Sequence, residues 1–377
     1  MTHTRPGRRL ALVTACLAAL TTLAMPAWAQ LRIGQPSGFT GSVSAGVKEN
    51  TEGAKLYLDA VNARGGVNGQ KIELISVDDQ FDPKRTVEVA GELIIKQKVL
   101  ALFLNRGTPH AQALLPLLAE HKLPLVGPST GATALHTPVN PWVFNVRATY
   151  QREAAKAIEH LASIGMTRIA VLQTDDSFGA DSAAGAQKGF EKVGQKPLLL
   201  EKFPRDKPEF SALGQQVTQQ KAQAVMVIGS AGNTANAVRA IRAAGSRAQI
   251  VTLSNNASEG FIKLLGEHAH GVIVTQVFPN ERSLTYPLIR EAQTLAKAKG
   301  MEGVSPAMIE GFAAAKVLVE GLRRAGPNPT SEGLRDALEG LQNFNIGGLS
   351  VSYGPDNHTG LDFADLSIVD ASGRFRR

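Results

Sequence analysis

Two hydrophobic rhythms alternate along this chain. Ala54, Tyr57, Leu58 and Val61 recur at i, i+3, i+4 and i+7, which is one apolar face of a helix. Arg64-Gly65-Gly66 ends it, because glycine takes the left-handed cap that other residues resist. Ile72 to Val77 then reads as a strand that closes on Asp78-Asp79. Leu31-Arg32-Ile33-Gly34 is a short strand before the helix, and Asp82-Pro83 breaks the chain before a helix over 86–95. Residues 99–104 are almost continuously apolar, as in a parallel strand buried on both faces. Leu123-Pro124-Leu125-Val126 is the next strand, and residues 141–147 form an apolar strand that leaves this region. Beyond it the spacing predicts strands over 168–172, 195–203, 224–228, 249–253 and 271–277. Helices are predicted over 152–164, 210–220, 234–244, 284–300 and 305–324, with Ser331 capping another. Strands over 347–353 and 363–369 close the pattern. Strand alternating with helix predicts an α/β fold with parallel sheets.

Length divides this pattern. The chain has 377 residues, more than one hydrophobic core normally serves, so two lobes are expected. The first 29 residues stand apart. Arg5, Arg8 and Arg9 precede an apolar stretch over 10–23, and Ala27-Trp28-Ala29 fits small-x-small cleavage before Gln30. A cleaved signal peptide is favoured over a membrane anchor, since a spanning helix needs about 20 apolar residues. Too little apolar sequence precedes Cys16 for a lipoprotein site, and the flanks of Arg8-Arg9 give little support to twin-arginine export. Losing three arginines and no acid takes the net charge from +7 to +4. That charge is interleaved and diffuse, and aromatics are few, which argues against a nucleic-acid surface. Cys16 is the only cysteine, so the remainder has neither disulfide nor thiol nucleophile.

Candidate binding chemistry lies where strands end. The strand over 99–104 runs into Asn105-Arg106-Gly107-Thr108, and the next runs into Gly127-Pro128-Ser129-Thr130-Gly131. Open α/β sheets bind ligands outside the carboxyl ends of their strands. Backbone N–H groups at helix starts, with small hydroxyls, hold anions there without a full positive charge. Thr108, Ser129 and Thr130 have that chemistry; the alternative is that Thr108 and Ser129 only cap helices.

Gly53-Ala54, the run from Val61 to Gly69, Val77-Asp78-Asp79 and Asp82-Pro83 together resemble the periplasmic solute-binding proteins of ABC importers. The similarity is to the leucine/isoleucine/valine-binding branch of type I. It implies two Rossmann-like lobes with parallel sheets joined by three crossover strands. The lobes implied are 30–146 with 279–358, and 147–278 with 359–377. It further implies a periplasmic monomer that closes on a small carboxylate-bearing solute, an amino acid or a keto, aliphatic or aromatic acid, and hands it to a membrane permease. The ligand contacts it implies are Gly107, Thr108, Ser129, Thr130, Gly131, Tyr150, Phe178, Ala231 and Asn255. Phe178, between Ser177 and Gly179 in what reads as a loop, would close over the ligand. Trp142, the only tryptophan beyond residue 29, lies on the first crossover, where ligand-driven closure is expected to shift its emission.

Two departures bear on the ligand. Relatives place an acid after the strand over 249–253 to pair with an α-ammonium, and an aromatic at the position of Gly46. Here the loop is Ser254-Asn255-Asn256. The ligand expected therefore keeps its carboxylate and lacks the amine, unless Asp175 or Asp176 supplies the charge. No cofactor or metal is expected. His268-Ala269-His270 lacks further ligands, and Gly229-Ser230-Ala231-Gly232 is one residue short of a nucleophile elbow. Asp78-Asp79 and Asp175-Asp176 read as solvated or helix-start acids. An enzyme is not expected; a sensory module, or less readily a periplasmic hydrolase, is the rival.

Overall fold

The structure is a computed structural model that describes residues 1–2 and 30–377. The expected leader, with Cys16 and the Ala29 cleavage site, lies outside the described residues. The first lobe begins β1 (Leu31–Ser37), α1 (Ser44–Ala63), β2 (Ile72–Asp78), α2 (Pro83–Ile95), β3 (Ala101–Phe103), α3 (Thr108–His121), β4 (Leu125–Val126) and β5 (Val143–Phe144). The sheet order is β2-β1-β3-β4-β5, with all neighbours parallel. Ile33 pairs with Leu74 on one side and Ala101 on the other. The chain therefore reverses direction across β1, and a crevice opens beyond the carboxyl ends of β1 and β3.

Residues 145–149 cross to the second lobe. It holds α4 (Tyr150–Ser163), β6 (Ile169–Thr174), α5 (Ser177–Lys192), β7 (Leu199–Phe203), α6 (Ser211–Gln219), β8 (Ala224–Ile228), α7 (Ala231–Ala243), β9 (Gln249–Thr252), α8 (Glu259–Leu265) and β10 (Ile273–Gln276). The order β7-β6-β8-β9-β10, all parallel, repeats that of the first sheet. The chain then returns with α9 (Pro287–Ala298), α10 (Pro306–Arg324), α11 (Ser331–Glu339) and a small antiparallel pair, β11 (Phe344–Asn345) and β12 (Ser350–Val351). A third passage leads to β13 (Asp365–Val369) and β14 (Phe375–Arg376), which extend the second sheet antiparallel beside β10.

Each sheet is apolar on both faces because strand side chains alternate. Ala101 and Phe103 join one buried cluster while Leu102 joins another. Val225 and Val227 face one way, and Ala224, Met226 and Ile228 the other. Helices α1 and α10 touch backbone to backbone. A Cβ on Gly53 would lie 1.9 Å from the Met308 carbonyl oxygen, so only glycine fits. Among the described residues, no helix is long and apolar enough to cross a membrane.

Several expected boundaries move. β1 runs on to Ser37, and β7 begins at Leu199 rather than 195. Thr330, not Ser331, caps α11, accepting from the Gly333 N–H at 3.0 Å. Phe178 is in the first turn of α5, capped by Asp176, not in a loop. Ala231 opens α7, three residues before the expected start. Trp142 precedes β5, at the end of the strand away from the crossover. It packs on the first lobe's cluster under Arg335, 5.9 Å from its ring, and so does not sit at the hinge.

Candidate ligand-binding site

The carboxyl ends of both sheets face one cleft. Val43, Phe81, Arg106, Gly107 and Thr108 line it from the first lobe. Tyr150, Thr174, Phe178, Arg205, Ser230, Asn233 and Asn255 line it from the second. The space between these atoms is about 390 Å³, solvent at its mouth included. Of the expected contacts, Gly107, Thr108, Tyr150, Phe178 and Asn255 reach the cleft. Ser129, Thr130, Gly131 and Ala231 stand one layer behind.

That second layer holds the first in place. Thr108 and Thr130 hydroxyls lie 2.7 Å apart. Ser129 Oγ accepts from Arg106 at 3.0 Å and from Asn50 at 3.1 Å. Neither Thr108 nor Ser129 is a helix cap: the cap of α3 is Gly107, at φ +102, with no side-chain bond. Gly131 packs against the crossover, where its carbonyl accepts from the Tyr150 N–H at 2.7 Å and a Cβ would come within 2.6 Å of the Ala148 oxygen. Ala231 is buried in the second lobe's core. Tyr150 and Phe178 meet edge to face at 4.9 Å and form one apolar wall.

Arg106, in the loop after β3, carries a guanidinium that the expected contacts do not include. It is buried. One amino group donates to Ser129 Oγ, and the other reaches across the cleft to the Asn255 carbonyl at 2.6 Å. No carboxylate lies within 4.0 Å of it among the described residues. A full positive charge thus stands where only backbone N–H groups and hydroxyls were expected. Gly46 explains part of the arrangement. A Cβ there would sit 3.9 Å from the Asn255 carbonyl and 4.0 Å from Arg106, so an aromatic at this position would meet their contact.

The second lobe supplies no free acid to the cleft. Asn255 donates to the Gly229 carbonyl at 2.9 Å. Asp175 is exposed and pairs with Lys202 at 2.9 Å. Asp176 caps α5 through the Gly179 N–H and pairs with Arg205. Arg205 therefore brings its own counter-charge, whereas Arg106 does not. Phe81, Arg205, Ser230 and Asn233 were not expected in the site. No sequence period marks them, since Phe81, Arg205 and Ser230 sit in strand-to-helix turns and Asn233 in the first turn of α7.

The chain matches the family model described as periplasmic binding protein over residues 30–370. It is 24% identical over 272 residues to an amino acid binding protein of Pseudomonas aeruginosa, covering 71% of each chain. It is 21% identical over 268 residues to the Leu/Ile/Val-binding protein of Escherichia coli, covering 71% of this chain and 72% of that one. A substrate-binding periplasmic protein from Ralstonia solanacearum has the same fold, with a TM-score of 0.83 and 32% identity, over 92% of this chain and 99% of that one. The chain belongs to the periplasmic binding protein family, in its Leu/Ile/Val-binding protein-like branch.

Proposed function

We propose that this protein captures a small carboxylate without an α-ammonium group and delivers it to the permease of an ABC importer. Its substrate-binding role follows from its family. The observation that carries the ligand class is Arg106, a buried cation with no acid beside it among the described residues, in a cleft whose described lining includes no carboxylate. Burying a charge is costly unless it is paired, so a ligand carboxylate is the natural counter-ion. Such a charge-assisted bond is roughly twice as strong as a neutral one. An α-ammonium would bring a second cation beside Arg106 with only neutral acceptors, such as Asn255, Ser230 and Asn233, to receive it. Tyr150, Phe178 and Val43 suit the apolar remainder of an aliphatic or aromatic acid.

A matched titration tests this: leucine against 4-methyl-2-oxopentanoate, and phenylalanine against phenylpyruvate. The oxo acids are expected to bind more tightly. If the amino acids bind tenfold tighter, a difference of about 1.4 kcal/mol, the ligand class is wrong and the family role stands. We also propose export with cleavage after Ala29. The mass of protein taken from the cell envelope should begin at Gln30, and a diacylated Cys16 at the amino terminus would overturn this.

A further inference from the structure

We propose that Phe81 and Arg205 are positioning residues that clasp the two lobes together beside the ligand. Phe81 belongs to the first lobe, on the turn between β2 and α2, and Arg205 follows β7 in the second. The Arg205 guanidinium lies over the Phe81 ring at 4.9 Å, so the contact exists only when the lobes are closed.

Both partners are held from behind. Phe81 also stacks on the His110 ring at 4.3 Å and 14°. Gln80 and Phe81 adopt φ +55 and +58, left-handed values that non-glycine residues take only at a cost. Two acids fix that turn: Asp78 Oδ1 accepts from the Gln80 N–H at 3.0 Å, and Asp79 Oδ1 from the Phe81 N–H at 2.9 Å. Glycines make room for the ring. A Cβ on Gly38 would come within 3.1 Å of Phe81, and one on Gly107 within 3.0 Å. Across the cleft, Asp176 pairs with the Arg205 guanidinium, and the Asn233 amide donates to the Arg205 carbonyl at 2.9 Å. A strained turn on one lobe thus presents an aromatic face, and a braced arginine on the other covers it. His110 and Arg205 both pack on the Phe81 ring, so the contact is made between protein groups alone. The contact therefore adds the same increment to closure whichever ligand is bound.

The test needs no ligand and so does not depend on the carboxylate reading. Residues 30–377 contain no cysteine. Nitroxide labels at Glu88→Cys and Glu209→Cys, both exposed and on opposite lobes, report lobe separation by pulsed electron resonance. Arg205→Ala and Phe81→Leu should each lower the ratio of closed to open populations about two- to fivefold, the range an exposed cation–π contact supplies. The double variant should fall no further than either single one, since both remove one contact. Arg205→Lys should lie between. Unchanged populations in both single variants, or losses that multiply in the double, would overturn the proposal. Far-UV circular dichroism matching the parent shows that each variant is folded.

Discussion

Asp79 shows how burial decides the behaviour of one residue. Its side chain is fully buried, accepting from the Phe81 N–H at 2.9 Å and the Thr86 hydroxyl at 2.8 Å. Burial, helped by the charges of Asp78 and Asp82 and opposed by those two bonds, raises its pKa from 3.8 to about 6. Because the folded value exceeds the unfolded one, the folded protein holds this proton more tightly. The stabilisation is complete below pH 4 and is lost as the pH rises through 6. At 1.36 kcal/mol per unit, the loss is of order 2–3 kcal/mol. Asp79→Asn should remove this part of the pH dependence; parallel denaturation curves from pH 4 to 7 check it, and equal slopes in parent and variant would contradict it. In the sequence, Asp78-Asp79 and Asp175-Asp176 look alike. Only the fold separates buried Asp79 from exposed Asp175 and from Asp176, which caps a helix. Arg106 has the same history. Its loop was legible, but that its side chain turns into the cleft depends on Ser129, 23 residues on, and Asn255, 149 residues on.

At the scale of elements, the amplitudes of the pattern were readable and the joints were not. Most strands and helices stand within a few residues of where periodicity puts them, because the central strands are buried on both faces and most helices on one. The turns between them are short and rich in small residues, so Ser177-Phe178-Gly179 and Ala231-Gly232-Asn233 read as loops. In fact Asp176 and Ser230 end the turns there by capping the Gly179 and Asn233 N–H groups. Cross-lobe joints leave no local signature at all. Glu49 on α1 accepts the Glu259 and Gly260 N–H groups at 3.0 and 2.8 Å, so one lobe caps a helix of the other across 210 residues of chain. The anionic form suits the positive end of that helix, while burial raises the Glu49 pKa against it.

At the scale of the molecule, the repeated strand order makes two crevices, and the crossovers turn them toward each other. One buried network joins the pieces where the first crossover ends. Arg147 lies on that crossover and is 1% exposed. It binds Glu153 on α4 and Ser254 beyond β9, and approaches Glu310 on α10 at 3.5 Å. Glu153 in turn accepts from the Ser254 N–H at 3.0 Å and from Thr275. Burial opposes the charge on Arg147, but Glu310, Tyr150 and Glu153 outweigh it and raise its pKa, so the cation persists. One cation thus answers carboxylates from both lobes at the point about which they must turn. Removing it strands two buried acids, and breaking a buried pair in this way costs about 3–5 kcal/mol. Arg147→Met should therefore lower the unfolding free energy obtained from urea denaturation by an amount in that range. Adding Glu153→Gln and Glu310→Gln should recover part of the loss, because neutral amides no longer need the cation. If Arg147→Met lies within about 1 kcal/mol of the parent, the size of an ordinary substitution, the network does not hold the lobes. If the triple variant is weaker than the single one, the carboxylates serve through hydrogen bonds rather than through their charge.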